Sequence, residues 1–324
     1  MIEKFSNIYK SLTHKKMKKF NLKSKKLLTT ALFLTSGLTI LSHSNPVNAT
    51  DACPDPSTIT SPNDFGDATS FIATTGGSCY GTPEEYGVTI YKMGLCTSNP
   101  APSSAGSAPD TSSCSFNFEK DDGVGEDASF ASGGEVDLSE EYSSRPDVGE
   151  YEFAYIEIKN TFDVKASYGP IGDAARTTYF TNGTITDAGT VTGASATPTA
   201  SEYVTTEAPL ETFGFLDGGG SVCDATGEES VTGGTIRAYL LDSSDTLIAD
   251  DASATECPGV TKLLGIMQLD TKVNITESTS SVKTIFKVEN NGTSVVYDDV
   301  ADGIRFDSGP FSVSFETTED TSES

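Results

Sequence analysis

Residues 154–168 read AYIEIKNTFDVKASY, and this stretch decides the fold. Ala154, Ile156, Ile158, Phe162, Val164, Ala166 and Tyr168 share one parity, while Glu157, Lys159, Asp163, Lys165 and Ser167 share the other. A period of two with a single apolar set marks a strand that buries one face. The spacing predicts one long strand, or two in succession with a bulge near Asn160-Thr161.

Working outward, the same period recurs. Val88 and Ile90 alternate with Thr89, Tyr91, Met93 and Leu95, so both faces are apolar, as in a central strand ending at Cys96. Val282, Thr284, Phe286 and Val288 alternate with Lys283, Ile285 and Lys287; Asn291-Gly292 and then Val295-Val296-Tyr297 follow. Asn-Gly between β-branched runs predicts a hairpin, because both central residues of that turn need positive φ. Residues 236–241 and 246–249 read as a second hairpin around 242–245. Phe311 to Phe315 form the last predicted strand. Lys262 to Leu269 is the one helical candidate, but it is short and contains Gly265, and it reads as a strand. Residues 97–113 form a loop rich in Ser, Pro and Ala. Residues 183–201, rich in Thr, Gly and Ala, are an exposed loop or a linker dividing two β units. Short strands joined by Gly, Ser, Asp and Thr turns define the fold class: all-β, an antiparallel β-sandwich-like domain.

Cysteines supply its staples. Cys53, Cys79, Cys96, Cys114, Cys223 and Cys257 are an even set with no C-x-x-C pair, which favours three disulfides over metal ligation. Pairing by neighbours gives Cys53–Cys79, Cys96–Cys114 and Cys223–Cys257. Each would close a loop of roughly 20–35 residues and constrain the unfolded chain by about 3–4 kcal/mol.

The first 49 residues indicate the compartment. Seven lysines between Lys15 and Lys26 precede an apolar run from Leu27 to Leu41, then the small-residue site Val47-Asn48-Ala49. That order is a secretory signal peptide, too short to span a bilayer, with cleavage between Ala49 and Thr50. Met17, followed by Lys18-Lys19, is an alternative start. Both histidines, His14 and His43, lie in the leader, so the mature chain contains no His and no Trp. Over the full chain 21 Lys and Arg stand against 47 Asp and Glu, a formal charge of −26; without residues 1–49 the balance is 12 against 46, or −34. Such a charge repels nucleic acid and anionic lipid. No segment after the leader could cross a membrane as a helix. An outer-membrane barrel fits poorly with three disulfides and few girdle aromatics. Organisation is therefore read as leader 1–49, an exported all-β domain 50–316, and an acidic disordered tail 317–324. The location is secreted, extracellular or cell-surface, with the periplasm as a further compartment.

Chemistry is excluded more readily than it is assigned. Without histidine the mature chain has no Ser-His-Asp or Cys-His arrangement, and it has no nucleophile elbow or P-loop. Asp307-Ser308-Gly309 matches one lobe of an aspartic protease, but Asp187-Ala188-Gly189 lacks the hydroxyl of a second lobe; Asp-Ser-Gly reads as a turn. A glycosidase needs only two carboxylates, yet no pair stands out among so many and there is no Trp platform. The chain is read as no enzyme. Asp121, Asp122, Glu126 and Asp127, and Asp298, Asp299 and Asp302, group carboxylates in Gly-containing loops; calcium is the ion such loops could hold, although neither has EF-hand spacing. Asn182, Asn274 and Asn291 begin N-glycosylation triplets that arise easily in a Thr-rich chain. Tyr80, Tyr86, Tyr91, Tyr151, Tyr155 and Tyr168 could stack on a sugar, but on strands they read as packing.

What remains is an exported structural or adhesive protein, a self-associating subunit of a surface layer, filament or matrix. Its terminal strand, Phe311/Val313/Phe315, is the exchangeable element, whereas Cys53 tethers the stretch after the leader. The rival reading is a secreted glycan- or calcium-binding β module.

Overall fold

The computed structural model describes residues 52–61, 69–120, 123–131, 144–173, 175–184, 189–193, 197–213, 222–231, 233–298, 303–309 and 311–319. In chain order the strands are β1 (Ser78–Gly81), β2 (Glu85–Cys96), β3 (Cys114–Glu119), β4 (Glu126–Ala131), β5 (Gly149–Lys165), β6 (Ser167–Ile171), β7 (Thr177–Phe180) and β8 (Gly189–Thr192). They continue with β9 (Thr206–Pro209), β10 (Thr226–Val231), β11 (Gly234–Leu241), β12 (Lys262–Ile275), β13 (Thr279–Lys287), β14 (Thr293–Asp298), β15 (Gly303–Ser308) and β16 (Ser312–Glu319). All the strand ladders are antiparallel, as the all-β reading requires.

An eight-stranded sheet carries the order β10-β11-β12-β5-β2-β3, with β4 also pairing β2 and β9 pairing β5. Opposite it lie two smaller sheets, β1-β14-β15 and the ribbon β13-β16; β6-β7-β8 form a fourth. Aromatic rings join the large sheet to the ribbon, Phe130 to Phe286 at 5.1 Å between centroids and Tyr86 to Phe311 at 6.4 Å, while Tyr86 and Phe162 pack at 5.9 Å within the large sheet. Such pairs contribute about 0.5–1.5 kcal/mol each beyond the area they bury. These strands all belong to one compact unit, residues 45–324.

The opening stretch is the heart of β5, and the bulge falls where the pattern placed it. Val88 pairs with Phe162 but Ile90 pairs with Ile158, so one residue of β2 faces three of β5, Lys159 to Thr161. That offset preserves parity, which keeps Ile158 and Phe162 on the buried side together. The single buried face holds only beyond the bulge. From Ala154 to Ile158 every residue is buried, Tyr155 and Glu157 included. On the second face Phe116 packs edge-on against Tyr155 at 5.4 Å, and Glu157 is held by Lys262 and the Tyr155 hydroxyl. β2 is buried on both faces and central, as read, and Lys262 to Leu269 is strand.

The Asn291-Gly292 hairpin does not form. β13 pairs with β16, and β14 pairs with β1 and β15, so the chain crosses between sheets at this turn. The positive φ belongs to Asn290, at 59°, and not to Gly292. Gly292 is required for another reason: a Cβ there would lie 2.6 Å from that of Val288. Around 242–245 the reversal forms, with Leu241 bridged to Leu247 and Asp245 at φ 59°, but its second arm stays short of a strand. The Asp242 carboxylate accepts hydrogen bonds from the Thr246 and Ser244 amides and the Thr246 hydroxyl, which hold it below the usual carboxylate range.

Two irregular segments turn out differently. Residues 97–113 are a loop, pinned to 247 by hydrogen bonds from Gly106 and to Ser107, with Pro100 and Pro102 buried. Within 183–201, read as loop or linker, β8 adds to β7. The three disulfides are Cys53–Cys79, Cys96–Cys114 and Cys223–Cys257, and among the described residues no cysteine is free.

Candidate functional site

The terminal strand, β16, is the element the sequence offers for exchange. β16 runs through Glu319, three residues into the stretch read as tail. Among the described residues its ladder partner is β13, over Thr279 to Lys287. The register sets Lys283 opposite Glu316, a pair of opposite charge, and Thr284 opposite Phe315. At the far end Ser278, Thr279 and Thr276 donate hydroxyl hydrogen bonds to the Glu319 carboxylate, at 2.6, 2.8 and 3.2 Å, and hold its pKa down in that order of weight. At the near end Phe311 is buried between Tyr86 and Phe286, which anchors the chain just before β16. Sequence reading found the strand but missed the hydroxyl clasp. Its only signal in the sequence is the hydroxyl run at Thr276, Ser278 and Thr279 and a glutamate near the end of the last strand, 40 or more residues away.

The other candidates fall elsewhere. Asp121, Asp122, Asp299 and Asp302 lie outside the described residues, as do the leader, the cleavage site Ala49-Thr50, and residues 320–324. Asp298 ends β14, opposite Gly303. Glu126 and Asp127 begin β4, so successive side chains project from opposite faces. Asp127 accepts a 2.7 Å hydrogen bond from Thr89 and raises the pKa of Asp163, where burial and Glu207 act more strongly. Among the described residues no group of three or more His, Cys, Asp or Glu could hold a metal ion.

Asp307-Ser308-Gly309 closes β15 against a turn. The Thr293 hydroxyl donates to the Asp307 carbonyl, the Gly309 amide donates to the Gly292 carbonyl, and Ser308 Oγ sits 2.9 Å from the Tyr86 hydroxyl. A Cβ on Gly309 would fall 1.8 Å from the Asn291 oxygen, so this glycine is fixed by packing. Five of the six tyrosines are buried, and only Tyr80 is partly exposed. Tyr151 donates to the Asp147 carbonyl, Tyr155 to Glu157 and Tyr168 to the Pro54 carbonyl. Burial raises the Tyr168 phenol to about 12. The five buried rings are core packing.

No protein-family model, curated protein or solved structure matches the chain. The class rests on the fold alone: an antiparallel, disulfide-linked all-β protein. No helix among the described residues is long and apolar enough to cross a membrane.

Proposed function

We propose that the mature chain is an exported structural or adhesive subunit that joins copies of itself by exchanging β16. The observation that carries this reading is the β13–β16 ribbon: a two-stranded sheet whose terminal member is recognised by charge, by register and by the Glu319 clasp. A second copy presents the same β13, so exchange conserves every contact and costs little beyond the entropy of joining two chains. Lysines on β13 suit an acidic strand and discourage indiscriminate pairing at that edge. Paired cysteines suit an oxidising compartment, which supports export.

Copies carrying a formal charge of −34 each repel one another, and at about 0.15 M salt that repulsion is screened beyond about 8 Å. Sedimentation of residues 50–324 should therefore show larger species as salt and protein concentration rise. A cross-link made by Lys283→Cys with Glu316→Cys should hold β16 on its own β13 and keep the protein monomeric. A wild-type chain that stays monomeric at every salt and concentration overturns the proposal.

The clasp adds a pH dependence. Because hydrogen bonds to the Glu319 carboxylate lower its pKa, its contribution is present above the ordinary value of 4.5 and is lost as pH falls through the lower folded value. Hydrogen exchange of the β16 amides should accelerate below that range, and more so than exchange in β5. Equal acceleration in both strands would remove the clasp from the argument.

A further inference from the structure

Three adjacent strands of the large sheet lose side-chain bulk at one level. Gly227 of β10 lies opposite Ala238 of β11, Ala238 opposite Gly265 of β12, and Gly265 opposite Ile156. The flanking rows are larger: Leu240, Leu263 and Ile158 on one side, and Glu229, Ile236 and Met267 on the other. Residues in register project from the same face, so the row of small residues leaves a trough. Phe213 fills one end, 2.8 Å from where a Gly227 Cβ would stand. Over the rest lies a cavity of about 140 Å3. Ile156, Ile158 and Leu263 line it from the large sheet, and Tyr80 of β1, Ser294 of β14 and Phe311, just before β16, close it.

Polar groups also reach this lining: Tyr80, Ser294, Ser308, Glu228 and Glu229. Ser308 is bonded to Tyr86 and Glu228 is paired with Arg237. Glu229 borders the cavity, and its Oε1 is buried with no hydrogen-bond partner. Burial pushes its carboxyl up to about 7. A carboxylate oxygen beside an apolar void loses its water without replacement, which is unfavourable unless a ligand supplies a donor. An apolar cavity near 150 Å3 accepts a molecule the size of benzene.

We propose that this cavity binds a small organic cation, with a ring-sized apolar body over the Gly227–Ala238–Gly265 row and a primary ammonium donating to Glu229. Glu229, Ile156, Ile158 and Leu263 lie on the large sheet and not on the ribbon, whereas Phe311, which helps to close the cavity, immediately precedes β16; ligand binding is therefore read on the monomer, apart from exchange. Sequence reading passed over it because TGEESV at 226–231 has no apolar alternation.

Calorimetric titration of the mature chain with benzylamine, benzyl alcohol and benzoate tests the assignment. Benzylamine should bind at one site, more tightly than the alcohol, and benzoate should not bind. Glu229→Gln should weaken benzylamine at least about tenfold, as expected for a charge-assisted hydrogen bond, and leave the alcohol unchanged. Ala238→Leu should fill the trough and abolish binding of both. Should that variant fold poorly, methyl shifts of Ile156 and Leu263 in the wild-type protein locate the ligand instead. Absence of saturable benzylamine binding, equal binding of benzoate, insensitivity to Glu229→Gln, or shifts elsewhere than these methyls would each overturn it.

Discussion

Reducing the three disulfides is expected to unfold the protein. The bridges link residues 26, 18 and 34 positions apart, and their loops follow one another along the chain without nesting. Each therefore restricts a separate part of the unfolded ensemble, and their contributions add to a first approximation. Loop closure gives about 3–4 kcal/mol per bridge, about 10 kcal/mol together, against a total stability of about 5–15 kcal/mol for an ordinary domain. Circular dichroism with and without reductant should show loss of the strand signal. The bridges differ in what they hold. Cys96 and Cys114 already face each other in the β2–β3 ladder, so replacing both with Ser should loosen residues 97–113 and leave the sheet paired. Cys223 and Cys257 flank a segment that, after β11, is irregular up to Lys262, and their loss should lower the urea midpoint further. Full retention of structure on reduction would show that the core suffices without the staples.

The strands that carry the core were legible because each lies across a boundary between water and apolar packing. That boundary imprints a period of two on β5 beyond its bulge, and a continuous apolar run on β2 and β12. Neighbour pairing of the cysteines was legible for a related reason, since short loops keep their ends close. Three features were not legible. The partner of β13 is set by β16, whose pairing begins 25 residues downstream of Lys287, and no local turn signal reports so distant a contact. At Asn291-Gly292 the local signal was present, but it served a crossing between sheets, where Gly292 answers to Val288 and Pro83 instead of to positive φ. Glu157 was placed on a solvated face because its neighbours Lys159 and Asp163 are exposed, yet it precedes the bulge, where the second face is covered. Of the proposed ligand site, only the glycines were visible, and a glycine in a strand does not distinguish a packing constraint from a cavity.

Replacing Lys262 with Met is expected to destabilise the protein by about 3–5 kcal/mol, because it strands a buried charge. Glu157 is 2% exposed, in the middle of β5. Its Oε1 accepts from Lys262 Nζ at 2.7 Å and its Oε2 from the Tyr155 hydroxyl at 3.0 Å. Lys262 also donates to Asp245 at 2.5 Å and lies 4.8 Å from the centre of the Tyr91 ring. Burial works against the ammonium, but hydrogen bonds to Asp245 and Glu157 outweigh it and raise its pKa. Met keeps most of the volume and the contact with Tyr91 while removing the charge, so the loss reports the unpaired carboxylate and not a cavity. Pairing the change with Glu157→Leu separates the two terms. If desolvation dominates, the double variant should recover most of the loss and approach wild-type stability, since an apolar pair avoids removing two charges from water. If the network outweighs desolvation, the double variant should stay well below wild-type stability, although by less than the sum of the two single losses. Urea denaturation of the four proteins in the cycle decides between these outcomes, and a single Lys262→Met change costing less than about 1 kcal/mol would mean that Glu157 is solvated after all.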